Sequence, residues 1–213
     1  MIVRPQKILL ASRSPRRIEL LKQQGIDFDV LPADIDESVF EQESSQDYVL
    51  RLAQAKAAAS AKKVFDNNET YPLVLAADTC VSIGSQILGK PEDLEHFSHM
   101  MSMLSGQTHQ VLTAVAIAKP KVSNQSSGFI KEAVVVQTAV SFDRLSAQKI
   151  AAYWRSGEPQ DKAGGYGIQG LAGEFVTHIE GSYSNVVGLP IFETMQLLAR
   201  FGVFGLLGKS IEE

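Results

Sequence analysis

Ile8-Leu9-Leu10-Ala11-Ser12-Arg13-Ser14-Pro15-Arg16-Arg17, with Ile18, Leu20, Leu21 and Gly25 after it, is the stretch that decides the fold class. Residues 8–11 read as a buried strand, Ser12-Arg13-Ser14 as a loop, and Pro15 as the first turn of a helix that Gly25 stops. Residues 28–31 give a second strand, so the chain opens as strand, helix, strand. Ser14 in the capping position leaves free backbone N–H groups and the positive end of the helix dipole pointing out of the loop. Arg16 and Arg17 add bidentate donors for phosphate oxygens at the same end. An ordinary capped helix with surface arginines would use the same residues.

The pattern continues outward from there. Asp34-Ile35-Asp36-Glu37 is an acidic loop, and Ser45 stands as N-cap of a long alanine-rich helix over residues 46–64. Residues 73–77 form an uninterrupted apolar strand that stops at Asp78, and residues 81–87 form a hairpin partner turning at Gly84-Ser85. A helix follows over 92–104. The two longest strand candidates are residues 111–118 and 133–142, joined by a polar hairpin loop at 119–128. Residues 146–154 form a short helix, 157–173 are irregular, 174–179 form a strand, and a last helix follows Pro190. Strands and helices interleave throughout, which predicts one mixed α/β domain over residues 1–213 with a single substantial sheet.

Composition narrows the function. The chain has 213 residues, 45% of them hydrophobic, enough for a sizeable core. With 20 Lys and Arg against 24 Asp and Glu the net charge is -4, which excludes a global basic field for polymeric nucleic acid but not a local cation cluster for a small phosphorylated ligand. Cys80 is the single cysteine, so no intramolecular disulfide forms. The apolar run after Lys7 is too short for a signal-peptide core, and no stretch is long enough for a membrane-spanning helix. A reducing cytoplasm is the expected compartment.

Three polar residues interrupt apolar patterns. Lys56 follows Val49, Leu52 and Ala53 on the long helix at helical spacing, so it must snorkel, pair, or face a ligand. Asp78 ends the strand at 73–77, where open α/β sheets place ligands and a carboxylate binds a hard divalent metal or orients water, though Asp-Thr also makes turns. Lys90, between Gly89 and Pro91, puts a further cation on a stiff loop. His96 and His99 lie three apart without a third ligand, which argues against zinc, and His109 and His178 have no motif context.

Four motifs in order resemble the Maf family, and the resemblance covers nearly the whole chain. They are Leu10-Ala11-Ser12-Arg13-Ser14-Pro15-Arg16-Arg17; Ala76-Ala77-Asp78-Thr79 with Ile87-Leu88-Gly89-Lys90-Pro91; Lys162-Ala163-Gly164-Gly165-Tyr166-Gly167-Ile168-Gln169-Gly170; and Gly181-Ser182-Tyr183-Ser184-Asn185-Val186-Val187-Gly188-Leu189-Pro190. The resemblance implies an elongated α/β fold with a cleft between two lobes, similar to inosine triphosphate pyrophosphatases, and members often form homodimers. It implies hydrolysis of a nucleoside triphosphate between its α and β phosphates with a divalent cation, Mg or Mn.

In such an enzyme Asp78 accepts the proton of the attacking water, and Ser12, Arg16, Lys56 and Lys90 surround the triphosphate, with Arg17 beside them. Glu37 joins Asp78 as a candidate metal ligand. Arg16, Thr79 and Gln169 match the branch associated with dTTP and UTP. The 7-methyl-GTP branch has Trp, Gln and Glu at these places, which suit a cationic purine. A glutamine amide offers a donor and an acceptor to the uracil or thymine edge. Two alternatives are a 7-methyl-GTP pyrophosphatase and a nucleotide-binding regulator of cell division with little turnover, since the family name is linked to septum formation. Cys80 departs from the pattern, standing where an aliphatic residue is expected.

Overall fold

The computed structural model describes residues 7–66, 71, 73–120 and 129–208. In chain order the elements are β1 (Ile8–Leu10), α1 (Pro15–Gln23), β2 (Phe28–Val30), α2 (Ser45–Asp66), β3 (Val74–Ile83), β4 (Gln86–Leu88), α3 (Leu94–Leu104), β5 (Thr108–Pro120), β6 (Phe129–Phe142), α4 (Ala147–Arg155), β7 (Val176–Glu180), α5 (Tyr183–Val187) and α6 (Ile191–Ala199). The seven strands form one mixed sheet in the order β2-β1-β3-β5-β6-β7, with β4 also on β3. β1 runs parallel to β2 and β3, and the remaining pairs are antiparallel. The mixed α/β reading therefore holds. The expected hairpin loop at 119–128 falls largely outside the described residues.

Each face of the sheet is covered according to side-chain size. On one face Ala53, Ala57 and Ala61 of α2 meet Ala76, Ala114 and Ala116, and small side chains on both partners let the helix lie close to the strands. On the other face Ile8, Leu10, Leu73, Leu75 and Ile117 pack with Leu21 of α1 and Leu197 and Leu198 of α6. A separate cluster, built around Phe97, Met100, Met101 and Leu104 of α3 with Ile150 and Tyr153 of α4, covers the far part of the sheet at Val81, Val111 and Phe142. The sheet thus carries two lobes, and β3 runs through both.

Three local expectations are corrected. Asp78 does not end its strand: β3 continues to Ile83, because β5 pairs with it from Val74 to Ser82, including Asp78 opposite Ala114. What ends is the partner. Pairing to β1 stops at Leu75 and pairing to β4 starts at Val81, so the intervening edge of β3 opens into a cleft. The cap of α2 is Ser44 and not Ser45. Its hydroxyl accepts from Asp47 N–H at 3.1 Å and donates to the Asp47 carboxylate at 2.6 Å, a reciprocal lock that requires a partner three residues on. The strand expected over 174–179 is Val176–Glu180, because residues 171–175 wind as a 3-10 turn.

Candidate active site

A cleft of about 780 Å³ lies along the open edge of β3 and is lined by the 11–17 loop, the acidic loop, Asp78 to Val81, Lys90 and the 161–169 region. Every site residue expected from sequence lines it: Ser12, Arg16, Arg17, Glu37, Lys56, Asp78, Thr79, Lys90 and Gln169.

The β1–α1 loop is held by its own side chains. Ser14 caps α1 by accepting from Arg17 N–H, and Pro15 takes the first turn. Ser12 is buried, and its Oγ accepts from Ser14 N–H at 3.2 Å and from Arg17 Nη1 at 3.4 Å. With both acceptor positions used, the Ser12 proton is free to be donated toward the cleft.

Arg17 lines the cleft and is also held by the protein itself. Its Nε donates to Gly188 O at 2.7 Å, Nη1 to Ala77 O at 2.7 Å as well as to Ser12, and Nη2 to Thr79 Oγ1 at 2.9 Å. Its guanidinium ties the loop, the open edge of β3 and the end of α5 together, a geometry only its planar fork supplies. Gly188 fits this arrangement through φ +120, a left-handed conformation that a side chain would strain. Thr79 is committed too. Thr113 Oγ1 donates to Asn185 O at 3.0 Å, so Thr79 Oγ1 donates to Thr113 at 2.9 Å while accepting from Arg17. Its hydroxyl can meet a ligand only as an acceptor.

The charged centre is Lys56 with two carboxylates. Lys56 Nζ lies 2.6 Å from Asp78 Oδ1 and 2.6 Å from Glu37 Oε1. Of the three options open in sequence, pairing is the one realised. Asp78 is 6% exposed. Burial pushes its carboxyl above the usual carboxylate range, and Lys56 and Arg17 pull the other way without reversing the shift. Its Oδ2 has no donor among the described residues and is not among the fully buried unpaired atoms, so it faces the cleft. Burial also pushes the neighbouring Cys80 thiol up to about 12, which leaves it uncharged.

Arg16, Lys90 and the Gln169 side chain make no hydrogen bond or ion pair with the described residues, although all three line the cleft. Their polar heads are available to a ligand. The turn that carries Gln169 is fixed by residues that sequence reading missed. Glu158 accepts from Tyr153 OH at 2.8 Å and Leu171 N–H at 2.9 Å, and Tyr153 OH accepts from Gly167 N–H at 3.2 Å. His109 Nε2 and Tyr166 OH lie 2.7 Å apart, and burial lowers the imidazole to about 4, so it stays neutral. Nothing in the local pattern of residues 153–171 signals this hub.

Gly170 packs against it. A Cβ there would lie 2.3 Å from Glu158 Oε2, so the carboxylate that holds Tyr153 OH and Leu171 N–H would have to move. Gly170→Ala is expected to push Glu158 aside and loosen the turn, which hydrogen exchange over residues 163–171 would reveal as faster exchange.

Fold and cleft define an α/β protein in which one cleft gathers hydroxyl donors, cations, two carboxylates and a side-chain amide, a set suited to a small polyanionic ligand. The model of the family described as Maf-like protein matches residues 7–201. A dTTP/UTP pyrophosphatase of Colwellia psychrerythraea is 50% identical over 94% of this chain and 91% of its own length. Proteins of the same name from Pseudoalteromonas atlantica, 50% identical over 92% of this chain and 97% of theirs, and from Pseudoalteromonas translucida, 52% identical over 91% and 96%, agree with it. The chain belongs to the Maf family. Among the described residues no helix is long and apolar enough to cross a membrane.

Proposed function

We propose that the protein hydrolyses dTTP and UTP to the monophosphate and pyrophosphate with the help of a divalent cation. The observation that carries this reading is the Lys56–Asp78–Glu37 cluster on the open edge of β3, with one Asp78 oxygen free toward the cleft. The relatives' names, at about half identity over nearly full length, support the same substrates.

The donor set fits a hard metal. Asp78 and Glu37 each place one carboxylate oxygen on Lys56, which brings two carboxylates together at the cleft, and carboxylate donors of this kind suit Mg or Mn. Among the described residues no group of three His, Cys, Asp or Glu gathers at one point, so Asp78 and Glu37 are the residues that would hold the cation. The bound cation would polarise the phosphate oxygens.

The chain's own residues supply the remainder. Lys56 fixes Asp78 Oδ1, leaving Oδ2 to take a proton from the water that attacks the α phosphate. Ser12 donates its free hydroxyl proton, and Arg16, Lys56 and Lys90 bring positive charge to the triphosphate, which stabilises the charge that develops on transfer. Gln169 meets the pyrimidine edge with its amide donor and acceptor.

A pyrophosphate-release screen across nucleoside triphosphates and divalent metals tests this. Highest kcat/KM on dTTP and UTP is expected. Nucleotide binding without pyrophosphate release, or a preference for 7-methyl-GTP, would overturn it.

Base choice has its own test. Gln169→Glu replaces an amide donor by a charge facing carbonyl acceptors, leaving polar groups unpaired at about 1–3 kcal/mol each. That corresponds to a loss of roughly 5- to 150-fold in kcat/KM on dTTP and UTP. Equal cleavage by both proteins at equal metal occupancy would place base recognition elsewhere in the cleft.

A further inference from the structure

The acidic loop, residues 31–44, contains no helix or strand, yet it must deliver Glu37 to a defined point beside Lys56. The Glu37 side chain is half exposed, so its own burial does not hold it there. Helix α2 does. Arg51 Nε and Nη2 donate to the two oxygens of Glu43 at 2.6 and 2.7 Å, and Nη2 also donates to the carbonyl of Ser38 at 2.9 Å. The guanidinium lies 3.8 Å from the centre of the Phe40 ring and 5.6 Å from that of Tyr48. Tyr48 OH donates to the carbonyl of Glu37 at 2.9 Å. Two successive carbonyls, those of Glu37 and Ser38, are therefore fixed by side chains one turn apart on the helix that carries Lys56.

We propose that Arg51 is a positioning residue: clamped on Glu43, Ser38 and Phe40, it sets where Glu37 stands relative to Lys56 and Asp78. Its role is geometric. It needs a bidentate fork for Glu43, a third N–H for Ser38 and a flat face for Phe40, which no lysine provides. Glu43 raises the pKa of Arg51 and Arg51 lowers that of Glu43, so the clamp stays charged on both sides at neutral pH. It touches no reacting atom and acts only through the loop.

The functional half of this inference rests on the pyrophosphatase reading, so the test has two readouts. Hydrogen exchange without nucleotide reports the clamp itself: Arg51→Met is expected to speed exchange over residues 35–43 while leaving β3 unchanged. Kinetics on UTP report its use. Misplacing a catalytic group by about an ångström costs up to roughly 100-fold, so Arg51→Met is expected to lower kcat/KM by about 10- to 100-fold. In a Glu37→Gln background the same change is expected to cost less than about threefold, since the group it positions is already lost. Glu43→Gln, which keeps Arg51 and its contact to Ser38, is expected to show the same pattern at smaller size and keeps the test open if Arg51→Met folds poorly. Unchanged loop exchange in both variants, or a loss as large in the Glu37→Gln background as in the parent, overturns the proposal. A parent protein that releases no pyrophosphate would instead refute the functional reading and leave the exchange result standing.

Discussion

Asp78→Asn is expected to lower turnover on dTTP and UTP by roughly 10²–10⁴, the range for losing a general base. The amide keeps the shape and can still accept from Lys56, but it cannot take a proton. Turnover near that of the parent at equal metal occupancy would remove Asp78 from the chemistry. The same substitution has an opposite signature in folding. Burial raises the Asp78 pKa above its unfolded value, so its contribution to stability is full below the ordinary carboxylate range and is lost as pH rises through the folded value. An asparagine has no such dependence. Without metal, the stability of Asp78→Asn relative to the parent should therefore increase as pH rises from about 4, the ordinary Asp value, through the raised folded value, measured by urea unfolding. A difference that does not change with pH would mean that Asp78 titrates as an ordinary carboxylate.

Lys56→Met carries the second large effect. Lys56 is mostly buried, with 13% of its side chain exposed, and it is the cation shared by Asp78 and Glu37. Removing it deletes a preorganised charge from the phosphate site, for which a loss of about 10²–10³ in kcat is expected. It also leaves two carboxylates facing each other without their shared partner, and breaking a buried pair costs up to about 3–5 kcal/mol. Thermal melting and kinetics should fall together. A lysine that merely snorkelled would behave in the reverse way, with methionine stabilising the fold and kinetics unaltered.

The site was legible where its residues broke a pattern. Lys56 stood out as a charge on an apolar helical stripe, and Asp78 as a carboxylate interrupting a run of strand-forming residues. The family resemblance added Glu37, on the acidic loop, and Gln169, within a motif. Arg51, Glu43, Glu158 and Tyr153 gave no such signal. Arg51, Glu43 and Glu158 sit on a helix surface or in turns where polar residues are unremarkable, Tyr153 reads as an ordinary core aromatic, and only their partners, eight residues away for Arg51–Glu43 and thirteen for Glu158–Leu171, give them meaning.

By itself the sequence determined the period of each element, the cap of α1, the mixed α/β class and the order of the motifs, because these depend on neighbours within one or two turns. Tertiary structure decided the rest. The chain could not show that Asp78 lies inside a ten-residue strand, since its position depends on β5 pairing across it while β1 and β4 leave its edge open. Nor could it show that Arg17 serves protein carbonyls at Ala77 and Gly188, whose distance from Arg17 along the chain is 60 and 171 residues. Hydrogen-bond partners of that separation are set by how the sheet and helices pack, and a one-dimensional pattern carries no record of them.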